Sequence, residues 1–445
     1  MDLFDNIVWV GFGSIATALM ELFNIEDAFY DIPNIIIEPR DIKHTELFVN
    51  RDVKHIQTEL TRDNHKKLLK NINKKTLVID LSDGVDSLML LEWVKHKGSF
   101  FINASVENYY SDSNHIHPAN LEYKDIKKDT LFHRQLEVDK LMKNTRKSRF
   151  VSTAINPGGI QQFLKMALRL HAKHKNVKMD KGNYAKLAHD LGLKEVKLSE
   201  YDSQKTKLKP TSTYGLNTWG VQSLCLEASD EVVMVLNNET IEDMEKHGIK
   251  LIKPDEGGNK ANNIRFLTER GMDVHRSSVC LDHQGNPFEY DGGSLVSHAE
   301  ITSLGQFLEY NGDTPTIMYI YRVCDVAQQT LNYCRKNKYL PLKDNYVLEL
   351  KDIEDGGFDS IGCYLTFNDG SKMWCGTVAS KEDTIKAGFK ISNATAMQTA
   401  GWMWAFINFM IKYPNYGLNE GETVKHKFLF KYSTPYLGNI YCKML

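Results

Sequence analysis

The chain has 445 residues, with 55 Lys plus Arg against 57 Asp plus Glu and a formal net charge of −2. With 42% hydrophobic and 25% charged residues the composition is that of a folded globular protein of roughly two to three domains. Disordered, collagen-like and disulfide-scaffold classes are excluded, and the near-zero charge argues against a general nucleic-acid binder, which needs a basic face.

In chain order, the first third alternates short β-rich runs with amphipathic helices. Strands are predicted at Asn6–Val10, Asn34–Glu38, Val53–Thr58, Thr76–Leu81, Ser99–Ala104 and Arg149–Ile155, and helices at Ser14–Phe23, Arg62–Asn71 and Val85–Lys95. Strands and helices at this spacing imply βαβ units on a parallel sheet, a Rossmann-type doubly wound α/β domain. Ser111–Asp129 is polar and without periodicity, so it reads as a loop or insertion. A long helix, Gly159–His174, then leads into mixed strand and turn signals at Glu195–Glu200, Glu231–Leu236, Tyr346–Lys351 and Ile361–Phe367. These predict a second, α+β domain with a mainly antiparallel sheet. Lys253–Asn263 reads as a surface loop, and from Asn393 a helix returns that is apolar nearly all round and hence buried. The boundaries expected are 1–155 for the first domain, with 391–445 returning to it, and 156–390 for the second. No apolar run approaches the roughly 18 residues of a membrane span, and the N-terminus lacks the features of a signal peptide. The seven cysteines, odd in number and without a CxxC pair, are expected to be reduced thiols in a cytoplasmic protein with no metal site.

The strand Asn6–Val10 runs into Gly11-Phe12-Gly13-Ser14-Ile15-Ala16, which fits GxGxxG/A. Gly11 makes the tight turn, Gly13 lets a pyrophosphate approach the backbone, and Ala16 lets the helix pack on the strand. The helix start then offers unpaired N–H groups and a positive dipole end to the anion. Glu38 closes the second strand, where a carboxylate accepts from ribose hydroxyls and repels a 2′-phosphate, so NAD is favoured; Arg40 is the feature that pulls toward NADP. The expected cofactor-binding set is Gly11, Gly13, Ser14, Ile15, Glu38 and Ser82. No nucleophile elbow, P-loop or metal box is present, so the chemistry belongs to the nicotinamide.

Asn156 sits at the carboxyl edge of the sheet, where ligands of open α/β sheets bind, although Asn before Pro is also a common turn. In the second domain, polar residues interrupt apolar patterns: Glu200 with Asp202 and Gln204, Trp219 with Glu227 eight residues on, His298 with Glu300, and Asp359. Singly, each reads as a solvated or hydrogen-bonded structural residue; together they suggest an acidic pocket under the nicotinamide.

These residues sit in GFGSIA, Asn156-Pro157-Gly158, SEYDSQ, NTW, SHAE, FDSIG, NATAMQ and TPYLG, and as a set they resemble the bacterial and viral homospermidine synthases of the saccharopine-dehydrogenase-like group. The resemblance covers nearly the whole chain. It implies that Asn156, Glu200, Trp219, Glu227, His298 and Asp359 line a diamine pocket with Glu107 at its entrance; for Asp359, nearby Asp355 is the competing assignment. It further implies an aminobutyl transfer with recycled NAD, putrescine and related polyamines as substrates, and a homodimer with no nucleic-acid or membrane partner. A saccharopine or carboxynorspermidine dehydrogenase would need Arg or Lys for a substrate carboxylate, and a non-catalytic NAD-binding protein would need no buried acids.

Overall fold

The computed structural model describes residues 3–106, 130–143, 145–180 and 182–445. Glu107 and the polar segment Ser111–Asp129 lie outside the described residues.

Six strands of the first sheet come from the N-terminal third: β1 (Asn6–Val10), β2 (Asn34–Ile37), β3 (Val53–Ile56), β4 (Thr76–Asp80), β5 (Phe100–Asn103) and β6 (Arg149–Phe150). The later strands are β7 (Leu193–Asp202), β8 (Tyr214–Asn217), β9 (Glu231–Val235), β10 (Ile264–Arg270), β11 (His275–Leu281) and β12 (Pro287–Leu295). They continue with β13 (Thr316–Arg322), β14 (Asp344–Val347), β15 (Phe358–Phe367), β16 (Lys372–Ser380), β17 (Leu418–Asn419) and β18 (Asn439–Met444). The helices that matter for the site are α1 (Ser14–Ile25), α2 (Ser87–Lys97), α3 (Gly159–His174), α4 (Val221–Ser229), α5 (Ala299–Leu308) and α6 (Ala394–Lys412).

The first sheet has the order β17-β6-β5-β4-β1-β2-β3, and every pairing in it is parallel. The order in which strands are added reverses between β1 and β4, which opens a crevice at their carboxyl ends. The second sheet runs β10-β9-β13-β7-β15-β16-β18, with the β11–β12 hairpin attached through β13. Only β13 and β7 pair in parallel there, so it is a mixed, mostly antiparallel sheet. Strands β8 and β14 form a separate two-stranded parallel ribbon.

Three sequence expectations change length or place. The strand expected over Arg149–Ile155 stops at Phe150, because Ser152 takes φ 58° and the chain turns. The turn is pinned to β5: Ser152 N–H donates to Asn103 Oδ1 (3.0 Å) and Thr153 Oγ1 to the Asn103 carbonyl (2.7 Å). The helix expected over Arg62–Asn71 shrinks to His65–Leu68, since the Asn64 side chain closes its own turn by accepting from Thr61 N–H (2.8 Å). Instead of a strand over Tyr346–Lys351, β14 ends at Val347 and a 3₁₀ turn covers Leu350–Asp352.

The C-terminal segment contributes a strand to each of the two large sheets. Asn393 caps α6 by accepting from Ala396 N–H (3.0 Å), while its Nδ2 donates to the carbonyls of Thr218 and Leu348 (2.7 Å each). On α1, the buried Glu21 accepts the N–H groups of Lys390, Ile391 and Ser392 at 2.8–3.0 Å, which docks the entry to α6 on that helix. Phe23 of α1 and Trp404 of α6 pack ring to ring at 5.8 Å, within one continuous core shared by the two sheets. Strand β17 then joins β6, while β18 pairs with β16. There Cys375 and Cys442 stand directly opposite and are disulfide-bonded, which corrects the expectation of reduced thiols at that pair; the five other cysteines are free and buried. No helix among the described residues is long and apolar enough to cross a membrane.

Candidate active site

The turn after β1 is built for close backbone approach. Gly11 has φ +79°, and a Cβ there would fall 2.6 Å from the Ser82 Cα, so only glycine fits between the ends of β1 and β4. A Cβ on Gly13, by contrast, would meet nothing within 4 Å; it faces open space. Gly13 is the N-cap of α1 with no side chain to satisfy the first N–H groups. An anion placed there would accept them.

Glu38 follows β2 and is only 3% exposed. Its Oε2 accepts Phe12 N–H (2.9 Å), and its Oε1 accepts Arg40 Nε (2.7 Å) and Arg40 N–H (3.1 Å). Burial alone would raise its pKa, but Arg40 and the Phe12 N–H outweigh that and hold it below the usual value. The Arg40 guanidinium is thus drawn to Glu38 through its Nε, while the side chain remains 65% exposed at the cleft. Ser82 follows β4 and donates to Asp80 Oδ1 (2.7 Å). Asp83 reaches across to the second unit and accepts from Ser223 Oγ on α4 (2.6 Å).

One cleft, about 1520 Å³ of space open to solvent, runs from this turn into the second unit. Gly13, Ser14, Ile15, Arg40 and Ser82 line one side; Asn156, Glu200, Trp219, Glu227, His298 and Tyr319 line the other. Gly11, Glu38 and Asp359 stand behind this surface and shape it.

The acids come from strand register. Glu200 and Asp202 are two apart on β7 and so share a face. Asp359 on β15 is the cross-strand partner of Asp202, and Tyr321 on β13 is the partner of Glu200. Tyr319 is two residues before Tyr321 and joins the same face. Asn156 Nδ2 donates to Glu200 Oε2 (2.5 Å) and to the Tyr319 hydroxyl, which itself donates to Glu200 Oε2. Burial and the neighbouring Asp202 charge raise Glu200 to about 7, against the opposing pull of the Tyr319 and Asn156 hydrogen bonds. Asp202 is pushed up to about 6 by burial, although it accepts Gln204 N–H (2.9 Å) and Thr218 Oγ1 (2.8 Å). Asp359, 0% exposed, is held well above the carboxylate range by burial and by both of these acids. Its Oδ2 accepts Thr395 Oγ1 from the first turn of α6 (2.7 Å), and its Oδ1 has no partner. Asp355 is at the surface, paired with Lys381 (2.9 Å); between the two candidates, Asp359 is the buried acid.

A second acid pair flanks His298, the N-cap residue of α5. Its Nδ1 lies 2.5 Å from Glu300 Oε2 and its Nε2 3.6 Å from Glu227 Oε2. Burial alone would lower the imidazole pKa; the two carboxylates overcome it and hold His298 as an imidazolium well above 6.5. Its ring stacks on Tyr319 with centroids 4.4 Å apart and an 8° interplanar angle. Trp219, half-buried between β8 and α4, donates Nε1–H to the Tyr321 hydroxyl (3.2 Å) and leaves its ring on the cleft.

The structure therefore brings together Asn156, Glu200, Trp219, Glu227 and His298, with Asp359 behind Thr395. Glu107 lies outside the described residues. Sequence reasoning missed Tyr319, Tyr321 and Thr395. The tyrosines lie in TIMYIYR, an aromatic apolar run that reads as plain core; only their position across β13 from Glu200 on β7 marks them.

Chemically, the cleft offers a phosphate-binding turn beside an excess of carboxylates. Among the described lining residues the only Lys or Arg are Arg40, held by Glu38, and Arg134, which donates to the Val106 carbonyl at 3.4 Å. Such a site suits a cationic ligand, whose desolvation is costly unless paired.

Residues 7–132 match the saccharopine dehydrogenase NADP binding domain. The chain is 25% identical to the homospermidine synthase of Mesorhizobium japonicum, an alignment covering 99% of this chain and 90% of that protein. It is 26% identical to the homospermidine synthase of Blastochloris viridis, covering 98% and 90% respectively. Among solved structures, the homospermidine synthase of Legionella pneumophila in complex with NAD superposes with a TM-score of 0.81 at 26% identity, over 99% of this chain and 91% of the other.

Proposed function

We propose that this chain is a homospermidine synthase that joins two putrescines into homospermidine with release of ammonia, using NAD without net consumption. The observation that carries this reading is the continuous cleft in which the uncapped turn at Gly13 meets the acids around Glu200. In the proposal, residues 1–155 with 391–445 hold the cofactor and 156–390 hold the diamine, and the enzyme works as a cytoplasmic homodimer.

The residues present fit NAD: Gly11 and Gly13 make the cradle, the start of α1 offers N–H groups, and buried Glu38 disfavours a 2′-phosphate. When bound, NAD accepts a hydride from the carbon beside the amine and later returns it to the exchanged imine. For that carbon to give up hydride its amine must be neutral. A free alkylamine resembles lysine, with a pKa of about 10.4, so neutrality at pH 7 costs roughly 4.6 kcal/mol. Glu200, raised to about 7, can take the proton. Because Asn156 touches Glu200 directly, the reacting amine and this acid belong to the same end of the site. The Glu227–His298–Glu300 row, joined to this group through the His298–Tyr319 stack and offering two carboxylates to one imidazolium, pairs the distal ammonium. Trp219 presents an aromatic face to a cationic intermediate, for roughly 0.5–2 kcal/mol.

Incubation of the purified chain with NAD and putrescine, read by mass spectrometry, tests the reading. Homospermidine should form while free NADH stays far below the product. NADH accumulating in step with product would instead indicate a plain dehydrogenase.

A further inference from the structure

We propose that Tyr319 is a positioning residue: its hydroxyl holds the Glu200 carboxylate and the Asn156 amide in one arrangement, with the carboxylate aimed to take the proton of the reacting amine. The inference deepens the function proposed above and rests on it for the identity of the amine.

Three geometric observations support it. Tyr319 is 1% exposed, yet its hydroxyl meets two cleft residues at once, donating to Glu200 Oε2 and accepting from Asn156 Nδ2. Those two residues reach the point from different parts of the fold: Asn156 from the turn after β6, Glu200 from β7. Finally, the ring plane is fixed by the parallel stack on His298, which is itself clamped between Glu227 and Glu300. A phenylalanine would fill the same volume and stack on the same imidazole. The hydroxyl is the part that packing does not require, so it is there for its hydrogen bonds.

The proton step balances simply. The substrate ammonium loses one N–H proton to a Glu200 oxygen, leaving a neutral amine and a neutral carboxylic acid. A donor on Glu200 Oε2 favours the ionised carboxylate before the step, and the Tyr319 hydroxyl is that donor. Other groups face the same carboxyl. Asp202 beside it on β7 opposes its ionisation and the His298 cation at the start of α5 favours it, while Asp359 on β15 is itself held neutral by burial, Glu200 and Asp202. Tyr321 on β13, Cys280 on β11 and Tyr290 on β12 complete the surroundings as neutral groups whose ionisation Glu200 suppresses. Removing the Tyr319 hydroxyl therefore leaves Glu200 buried beside the repelling Asp202 with Asn156 as its remaining side-chain donor.

The test compares wild type, Tyr319→Phe, Glu200→Gln and the double variant, each with NAD bound. Tyr319→Phe should bind NAD normally, keep KM for putrescine within about threefold, and lose about tenfold or more in kcat near pH 7. The acid limb of its kcat/KM profile should move up by about one pH unit, so the loss shrinks toward pH 9. In the double variant Tyr319→Phe should add almost nothing to Glu200→Gln, since its effect passes through that carboxyl. An infrared pH titration gives a readout independent of substrate. The carboxylic C=O band that Glu200→Gln abolishes should persist to higher pH in Tyr319→Phe. An unmoved band and an unmoved profile would overturn the proposal, as would loss of NAD binding together with activity, which assigns Tyr319 to structure. If wild type makes no homospermidine but the band shifts, the functional reading fails while the role of Tyr319 stands.

Discussion

The two walls of the cleft recognise charge in opposite ways. On the cofactor wall, an anion is met by main chain: the glycine turn Gly11–Gly13 and the uncapped start of α1 at Ser14. On the proposed substrate wall, a cation would be met by side chains that strand register gathers from β7, β13 and β15, joined by Glu227 of α4 and Glu300 of α5. The first device needs no side-chain charge and, at Gly11, tolerates no added atom. The second needs its charges kept buried against their own repulsion, and this raises Glu200, Asp202 and Asp359 together.

The sharpest break should come on the substrate wall. Glu200→Gln removes the proposed proton acceptor, so kcat/KM for putrescine should fall by about 10²–10⁴-fold with NAD affinity intact; a loss confined to KM would move Glu200 to the distal amine.

On the cofactor wall, two glycines should separate folding from binding. Gly13→Ala, with nothing within 4 Å of its Cβ, should fold with an unchanged Tm and weaken NAD by tenfold or more in calorimetry. Gly11→Ala, at φ +79° and 2.6 Å from Ser82, should instead cost stability, on the order of 1–3 kcal/mol from the backbone alone. Equal behaviour of the two would mean the open space at Gly13 is not the anion site.

Glu38→Ala should shift the NADP/NAD ratio of kcat/KM toward NADP, because it removes a buried negative charge and frees Arg40 at one stroke. An unchanged ratio would remove Glu38 from the ribose site.

Trp219→Ala should lose about 2- to 30-fold more activity than Trp219→Phe, which keeps an aromatic face. Equal losses would assign the residue to its Nε1–H bond with Tyr321.

The smallest effect is on stability. The folded-state values of Glu200 (about 7) and Asp202 (about 6) lie above their ordinary 4.5 and 3.8, so their neutral forms stabilise the fold at low pH. That contribution disappears as pH rises through the folded values. The Tm of the ligand-free protein should therefore drop by a few degrees between about pH 5 and pH 8, and putrescine should restore more of it at pH 8 than at pH 5. A flat ligand-free Tm would show that the acids are already compensated.

The same contrast explains what the sequence made legible. The cofactor wall is contiguous, so a strand, GFGSIA and a carboxylate after the second strand announce it, and the parallel α/β domain follows from alternation. The substrate wall was legible only as anomalies: Glu200 in a clean strand, Glu227 in VQSLCLEA, Asp359 after two glycines. That Asp202 faces Asp359, or that Tyr321 faces Glu200, depends on which strands become neighbours and in what register, which no local pattern records. The shortened β6 was hidden for a different reason. Its continuation reads as β-rich, but Ser152 at φ 58° is held by tertiary bonds to Asn103 that local propensity does not contain.

The placement of β17 has a consequence for biosynthesis. The parallel sheet begins with residue 6 but gains its outer strand, and the cover supplied by α6, only from residues 394–419. At translation rates of about 5–20 residues per second, the N-terminal unit waits tens of seconds with one flank bare. Its strands must hold on the ribosome as an unfinished sheet, and assembly of both halves is deferred until residues 394–444 have emerged. A nascent chain arrested before α6 should be readily cleaved by protease within α1, whereas the released chain should resist.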